Sequence, residues 1–480
     1  MRLHWHRSDL RVTDNRGLAA AAGVDGADPA PGTGPSLGVF VLDDAILEHA
    51  SPPRVAFLLD ALDALRDAYR ERGGDLYIRR GDPTTILPAL ADEHDASAVT
   101  WNRGYSGLAR ERDDAVRDAL DDAGVRVAAY HDALHHEPGS ITTNDGDPYS
   151  VYTYFWKKWR DREKADPYPV PGSGDLASPD GSGDLPSVGD LGFDEPEAKI
   201  PAAGYEAARE RLDDFLASDV YDYAERRDYP ADECTSRLSA HLKWGTIGVR
   251  EVSAAVDAAR ADAPDEDARE SVDEFRSQLA WREFYRHVLY FNPEVVTENY
   301  KSYERPIDWN QPGEGLAAWK RGETGYPIVD AGMRQLRQEA YMHNRVRMIV
   351  ASFLTKDLLL DWRHGYAHFR EHLVDHDTAN DNGGWQWASS TGTDAQPYFR
   401  IFNPMTQGER YDPDAEYIAT YVPELDGVDA DAVHSWHELS DEERDDIAPD
   451  YPHPIVDHAD RREQALAMFK RARGEDPDED

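Results

Sequence analysis

The stretch RVAFLLDALDALRDAYRERGGDLYIRR, residues 54–80, indicates the fold of the N-terminal part of the chain. Its apolar residues recur at helical spacing from Val55 to Tyr69, which predicts an amphipathic helix over Arg54–Arg72. The glycine pair Gly73-Gly74 ends this pattern, and the apolar run that follows at 75–80 is typical of a strand. A helix of this length next to a strand is the repeating unit of a parallel α/β sheet.

Four further runs have the character of short strands: RLHWHR at 2–7, LGVFVL at 37–42, AVTWNR at 98–103 and VRVAAY at 125–130. Helical patterns lie between several of them, so the sequence predicts a Rossmann-like parallel sheet. The sequence contains neither GxGxxG nor GxxxxGK[ST], which argues against the two common nucleotide-binding loops.

The composition of the chain changes at about residue 165. Pro, Gly, Ser and Asp dominate the stretch at 166–190, which has no periodicity and is typical of a linker or a loose surface connection. From about Tyr205 onward the pattern is helical almost throughout. We therefore expect an α/β domain over 1–131, an interdomain linker over 132–204 and an all-α domain over 205–475.

The chain is strongly acidic, with 94 Asp and Glu residues, 52 Lys and Arg residues and a formal net charge of −42. The acidic residues are dispersed along the chain, which favours adaptation to a high-salt cytoplasm, where exposed charge is screened. The single cysteine, Cys234, excludes a disulfide framework and indicates a reducing interior. Since the sequence has neither a signal core nor an 18-residue apolar run, we expect a cytoplasmic protein without a membrane partner.

The segment 275–410 does not share the acidic character of the rest. It holds 16 basic and 17 acidic residues, a net charge of −1, and six of the twelve tryptophans. Arginines close to aromatic residues can bind phosphates and stack on bases, although a large helical core would also use them. This difference in net charge favours an anionic partner. If the segment served only as a buried core, its surface could have become as acidic as the rest of the chain.

Six blocks of sequence resemble the photolyase/cryptochrome family, in order along nearly the whole chain. They are LHWHRSDLRVTDNRGL at 3–18, TSRLSAHLKWGTIG at 235–248, QLAWREFYRHV at 278–288, TGYPIVDAGMRQL at 324–336, YMHNRVRMIVASFLTKDLLLDWR at 341–363 and HDTANDNGGWQWASSTGTDAQPYFRIFNP at 376–404. The likeness is greatest to class I cyclobutane pyrimidine dimer photolyases. It implies light-driven repair of dimers in UV-damaged DNA, with a bent FAD inside the helical domain.

The resemblance also implies roles for individual residues. Tyr223 and the run Thr235, Ser236, Arg237, Leu238 and Ser239 would hold the FAD diphosphate; the other expected FAD contacts are Phe275, Arg282, Asn344, Arg347, Asp375, His376 and Asp377. Asp375 would pair with Arg347, and Asp377 would accept a hydrogen bond from the polar edge of the flavin. Trp385, Trp362 and Trp309 match the electron-transfer chain of the family. Trp281, Met348 and Trp387 would line the lesion pocket, and Arg227, Arg282, Arg345, Gln278 and Gln407 would contact the DNA or the lesion.

Three positions depart from the pattern of the family. Gln278 stands where many relatives have a glutamate that binds the thymine carbonyls. Asp381 stands beside the position of flavin N5, where dimer photolyases have asparagine and plant cryptochromes have aspartate. It motivates the alternative of a blue-light photoreceptor without repair activity. Folate-binding relatives have a glutamate near the position of Ser106, and its absence here favours an 8-hydroxy-5-deazaflavin antenna chromophore over methenyltetrahydrofolate.

Other functions find less support in the sequence. The histidines show no HExxH motif, and we expect no metal site among them. The paired active-site histidines expected of a (6–4) photolyase are also missing. We further expect the protein to be a monomer.

Overall fold

In a computed structural model of the chain, which describes residues 1–24, 26–27 and 30–476, five parallel strands form one sheet. The strands are β1 (Arg2–His6), β2 (Ser36–Leu42), β3 (Leu76–Arg80), β4 (Ala98–Asn102) and β5 (Arg126–Tyr130). Their order across the sheet is β3-β2-β1-β4-β5. All five predicted strands are confirmed, each with one end displaced by one residue.

The centre of the sheet is fully buried, as a parallel sheet requires. Leu3 of β1 is in register with Leu37 of β2 and Val99 of β4, and none of these three side chains is exposed. Trp5 and Trp101 pack edge to face, with ring centroids 5.8 Å apart. These contacts explain why the strands appear in the sequence as almost continuous apolar runs.

The helices of the first half are α1 (Arg16–Ala22), α2 (Asp44–Leu47), α3 (Pro52–Arg70), α4 (Pro83–Glu93), α5 (Gly107–Asp122), α6 (Tyr152–Asp161), α7 (Tyr205–Ala217), α8 (Tyr223–Arg226), α9 (Ser239–Trp244), α10 (Val249–Asp262) and α11 (Glu266–Phe291). Helix α3 begins and ends two residues before the predicted Arg54–Arg72. The reason lies at its start, where Pro52 stands at a position that proline favours, directly after the extended Ser51.

The stretch at 166–190 is bound to the sheet and is not a loose connection. The backbone N–H of Ser36 donates to Asp175 over 2.8 Å, and that of Ala177 donates back to Ser36 over 2.8 Å. Farther along, Ile78 donates to the carbonyl of Ser182 over 2.9 Å. Backbone pairing of this kind needs no side-chain periodicity, so the composition could not reveal it.

The second half is helical, as predicted. Its helices are α12 (Glu314–Arg321), α13 (Pro327–Glu339), α14 (Asn344–Ser352), α15 (Trp362–His372), α16 (Thr378–Ala388), α17 (Pro404–Tyr411), α18 (Glu416–Tyr421), α19 (Ala430–His434), α20 (Asp441–Ile447) and α21 (His458–Ala472). A π-helical turn, Phe353–Asp357, follows α14. The core of this half contains Trp319, Trp362, Trp385 and Trp436, each at most 2% exposed.

The chain forms two compact units. The first comprises Met1–Pro196, Ile200–Ala224 and Thr235–Pro293; the second comprises Glu197–Lys199, Glu225–Cys234 and the described part of Glu294–Asp480. The domains expected from the sequence, 1–131, 132–204 and 205–475, divide the chain differently. They stay a prediction. Among the described residues, no helix combines the length and the apolarity that crossing a membrane requires.

Candidate functional site

A buried ion pair joins helix α14 of the second unit to the segment before α16. Arg347 donates through Nη2 to both carboxylate oxygens of Asp375, over 3.1 and 2.8 Å, and through Nε to the carbonyl of Met342 over 2.8 Å. The Asp375 side chain is only 3% exposed. Burial by itself would lower the pKa of Arg347, but the carboxylates of Asp375 and Asp381 raise it above its usual value. The guanidinium is therefore held charged in a poorly hydrated environment.

Asp381, on the first turn of α16, belongs to the same cluster. One of its oxygens accepts a hydrogen bond from His376 Nδ1 over 2.5 Å, and the other lies 3.6 Å from Arg347 Nη1. Both side chains, Asp381 and His376, are almost entirely buried. The carboxylate thus has a cationic partner and a hydrogen-bond donor within its own chain. Its expected position beside flavin N5 stays a prediction.

Asp377 caps the N-terminus of α16. Its Oδ1 accepts hydrogen bonds from the backbone N–H groups of Ala379 and Asn380, over 3.2 and 3.1 Å, and from Asn380 Nδ2 over 2.8 Å. Aspartate is among the residues preferred at such a cap. At least one of its oxygens therefore caps the helix. The expected contact with the flavin edge stays a prediction.

The three tryptophans of the expected electron-transfer chain lie in different surroundings within the second unit. Trp385 on α16 packs edge to face on Trp319 and Phe369, at 6.1 and 4.9 Å between centroids. Trp362 at the start of α15 donates through Nε1 to Asn299 Oδ1 over 2.8 Å. Trp309 is partly buried, with its ring 5.9 Å from that of Phe469.

Helix α15 approaches Trp385 so closely that only glycine fits at one position. A Cβ atom at Gly365 would overlap the six-membered ring of the Trp385 indole. We expect Gly365→Ala to lower the free energy of unfolding by about 1–3 kcal/mol, because the ring or the helix must move. Urea unfolding tests this, with Gly384→Ala as the matched control, since a Cβ atom at Gly384 meets no atom within 4 Å. An equal effect of the two variants would contradict the close packing.

The expected diphosphate contacts lie in the first unit. Thr235, Ser236, Arg237 and Leu238 precede α9, and Arg237 has a left-handed backbone with φ of 47°. The backbone N–H of Leu238 points to Ser236 Oγ over 3.4 Å. Tyr223 and Phe275 are in edge-to-face contact at 5.4 Å between centroids. The run thus combines hydroxyl groups, backbone N–H groups and a guanidinium, which suit an anion.

Helix α11 carries Phe275 and three further residues expected near FAD or the lesion. Trp281 stacks on Tyr152, with centroids 3.6 Å apart and ring planes 10° apart. Gln278 donates through its amide to Glu274 over 2.9 Å. Arg282 donates to the backbone carbonyls of Ala133 and Leu242 over 3.1 and 2.8 Å. These contacts give Arg282 a structural task that sequence reasoning did not foresee.

Two arginines expected to bind DNA share an internal counter-ion. Arg345 Nη2 donates to Asp228 Oδ2 over 2.6 Å, and its guanidinium lies 4.3 Å from the centre of the Tyr411 ring. Arg227 Nε lies 3.8 Å from Asp228 Oδ1. Asp228 was not among the residues predicted from the sequence, although its place directly after Arg226-Arg227 was a signal.

The remaining expected contacts, Asn344, Met348, Trp387 and Gln407, are all in the second unit. The Asn344 amide lies 3.8 Å from the sulfur of Met348, one helical turn farther along α14. Trp387 is partly buried and lies 6.4 Å from Phe402 between ring centroids. Gln407 is on the first turn of α17, which Asn403 caps. The structure therefore brings Asn344 and Met348 together, whereas the roles of all four stay predictions.

Two protein-family models match the chain. A model described as DNA photolyase matches residues 2–172, and one described as the FAD binding domain of DNA photolyase matches residues 275–471.

Known proteins resemble the chain over nearly its whole length. A deoxyribodipyrimidine photo-lyase of Halobacterium salinarum is 66% identical over 481 residues, which cover 99% of this chain and 100% of that protein. A solved class III photolyase from Agrobacterium tumefaciens superposes with a TM-score of 0.89 at 36% identity, covering 98% of both chains. A solved cryptochrome from Synechocystis reaches a TM-score of 0.86 at 25% identity, covering 98% of this chain and 99% of that one.

Proposed function

Because this chain belongs to the DNA photolyase family, we propose that it uses blue light to repair cyclobutane pyrimidine dimers in UV-damaged DNA. The observation that carries the proposal is the 66% identity, over nearly the whole chain, to a deoxyribodipyrimidine photo-lyase from a salt-loving archaeon. That source also agrees with the acidic composition, which suits a high-salt cytoplasm. Light-dependent loss of dimers from an oligonucleotide tests the proposal.

The chain carries an FAD-binding domain, and its residues fit that cofactor. The run Thr235–Ser239 offers the donors that a diphosphate needs, and Tyr223 and Phe275 lie in the same unit. The cluster of Arg347, Asp375 and Asp381 offers charged donors and acceptors for the polar edge of a flavin, as do His376 and Asp377 nearby. Bound reduced FAD would supply the electron that light sends to the lesion.

The protein's own contribution would be to position the groups and to shape the electrostatics around them. Arg347 would hold positive charge near the flavin. The Asp375 carboxylate would stabilise that charge. Asn344 would contact both the flavin and the lesion. Trp309, Trp362 and Trp385 would pass electrons inward when the flavin needs reduction.

On the lesion side, we assign Trp281, Met348 and Trp387 to apolar contact with a dimer flipped out of the duplex. The Gln278 amide would donate to a thymine carbonyl after leaving Glu274. Gln407 and Arg282 would complete the contacts with the nucleotide.

Arg345 would bind a DNA phosphate, and Asp228 would oppose it. We expect Arg345→Ala to weaken binding to every DNA sequence and to lower the slope of log affinity against log salt by about one. Asp228→Asn should instead tighten binding by roughly two- to fivefold, because the ion pair that it removes is partly exposed and stabilises the free protein by only about 0.4–1 kcal/mol. Fluorescence anisotropy over a series of KCl concentrations measures both. Identical salt slopes for Arg345→Ala and the native protein would show that this guanidinium does not contact DNA.

Asp381 favours a second candidate function, a blue-light photoreceptor, since plant cryptochromes have aspartate at this position. A photoreceptor should give a long-lived visible absorbance change in light that decays in the dark, without repair, and Asp381→Asn should abolish it. A repair enzyme should keep its activity in Asp381→Asn, because asparagine is the usual residue of dimer photolyases. Transient absorption and the repair assay on the same samples separate the two functions.

The antenna chromophore would be of the 8-hydroxy-5-deazaflavin type, with methenyltetrahydrofolate as the alternative. Ser106, near whose position folate binders have a glutamate, caps helix α5 by accepting from the Ala109 N–H over 3.2 Å. Mass spectrometry of the chromophores released from the purified protein decides between the two. Monomeric state and cytoplasmic location stay predictions.

A further inference from the structure

The last two turns of helix α15 bring together three potential metal ligands that the photolyase reaction does not use. His368, Glu371 and His372 each offer one ligand atom, and these atoms lie within 4.8 Å of one another. The spacing His-x-x-Glu-His places all three on one face of the helix, because residues three and four apart are neighbours there. The same spacing occurs in a class of zinc enzymes, where the two histidines bind the metal. No metal site was expected from the sequence, and this spacing was not considered there.

His368 is the decisive member of the cluster. Its side chain is buried, with only 4% of the residue exposed, yet neither ring nitrogen has a hydrogen-bond partner among the residues that the structure describes. A buried imidazole normally satisfies at least one nitrogen, so this arrangement calls for an additional partner. The ring faces His372, with centroids 4.1 Å apart.

His372 has the arrangement of a metal ligand with a supporting contact. Its Nδ1 lies 3.0 Å from the backbone carbonyl of His368, which can only accept, so Nδ1 carries the proton. The lone pair is then on Nε2, which is directed away from that hydrogen bond. Histidines that bind metals commonly donate their other N–H to a carbonyl or carboxylate in this way.

We propose that His368, Glu371 and His372 bind one divalent transition-metal ion of the Zn²⁺, Ni²⁺ and Cu²⁺ class. Two imidazoles and a carboxylate are ligands that these ions accept, and Mg²⁺ and Ca²⁺ prefer oxygen alone. Ligands of one ion with bonds of about 2 Å lie roughly 3–3.5 Å apart. The exposed Glu371 side chain can rotate to close the remaining distance.

Some charges near the cluster favour a bound cation and others oppose it. Lys320 and Arg337 bring positive charge close to His368. Lys320 and Arg337 also repel a cation, which limits the affinity, whereas Glu371 attracts it. The indole of Trp319 contacts both the site and Trp385. Its ring centroid lies 5.6 Å from that of His368 and 6.1 Å from that of Trp385.

Cu²⁺ binding to the full, metal-stripped protein tests the proposal. Electron paramagnetic resonance in molar KCl, which screens the acidic surface, should show one Cu²⁺ per chain coupled to two imidazole nitrogens. His372→Gln should lose one nitrogen coupling and about a hundredfold or more in affinity, since even supporting partners contribute roughly 10–100-fold. Zn²⁺ should displace the Cu²⁺.

His364→Gln is the matched control, because His364 lies on the same helix one turn before His368 and outside the cluster. It should bind Cu²⁺ like the native protein. Unchanged affinity and coupling in His372→Gln, or an equal loss in His364→Gln, would overturn the proposal, as would the absence of nitrogen coupling in the native protein. Repair activity does not enter this test.

Discussion

Arg347→Ala is expected to lower the free energy of unfolding by about 3–5 kcal/mol, the usual cost of leaving a buried charge without its partner. Asp375 would lose two hydrogen bonds while its side chain stays only 3% exposed, and Asp381 would lose its nearest cation. FAD should also be lost during purification, because this cluster is proposed to bind the polar edge of the flavin. Urea unfolding in molar KCl measures the stability, and the visible absorbance measures the retained flavin.

Arg321→Ala is a suitable control for Arg347→Ala. Arg321 belongs to the same unit and pairs with Glu323 over 2.5 Å, but both side chains are about half exposed. Water screens such a pair, so the unfolding midpoint should hardly change. If the two variants lost the same stability, the buried pair would not have the importance that its geometry indicates.

Trp385→Phe is expected to slow the photoreduction of oxidised flavin at least about tenfold, which corresponds to a barrier higher by roughly 1.4 kcal/mol. An indole loses an electron much more easily than a phenyl ring, and phenylalanine keeps an apolar aromatic ring at this position. Repair by protein that has been reduced chemically beforehand should persist, because the lesion receives its electron from the flavin. The loss of the oxidised-flavin absorption band under blue light gives the rate.

Trp436→Phe separates electron transfer from general packing. Trp436 is fully buried in the same core as Trp385 and donates to the carbonyl of Pro452 over 3.2 Å. Its replacement should leave photoreduction within about twofold of the native rate, a change of roughly 0.4 kcal/mol. A slower rate in both variants alike would mean that packing, and not the position of Trp385, controls photoreduction.

The sequence was most informative where burial alone decides the structure. The five strands were predicted to within one residue at each end, because the strands of a buried parallel sheet must be apolar throughout. Helix α3 was displaced by two residues, since its start depends on Ser51 and Pro52 and not on the apolar pattern.

Contacts between distant residues could not be predicted in the same way. The sequence does not show that Asp228 lies between Arg227 and Arg345, or that Arg282 donates to carbonyls of Ala133 and Leu242. The strand-like pairing of 175–182 depends on backbone groups, which every sequence has. The cluster of His368, Glu371 and His372 was visible as a spacing, but only the structure shows that the His368 nitrogens are buried without a partner among the described residues.

The most direct test of the account is the repair of a defined thymine dimer by the purified, chemically reduced protein in molar KCl. High-performance liquid chromatography would follow the dimer-containing oligonucleotide under blue light and in darkness. We predict that the dimer is converted to intact thymines in light and stays unchanged in the dark. Equal amounts of dimer in the two samples, from protein that retains its FAD, would contradict the account.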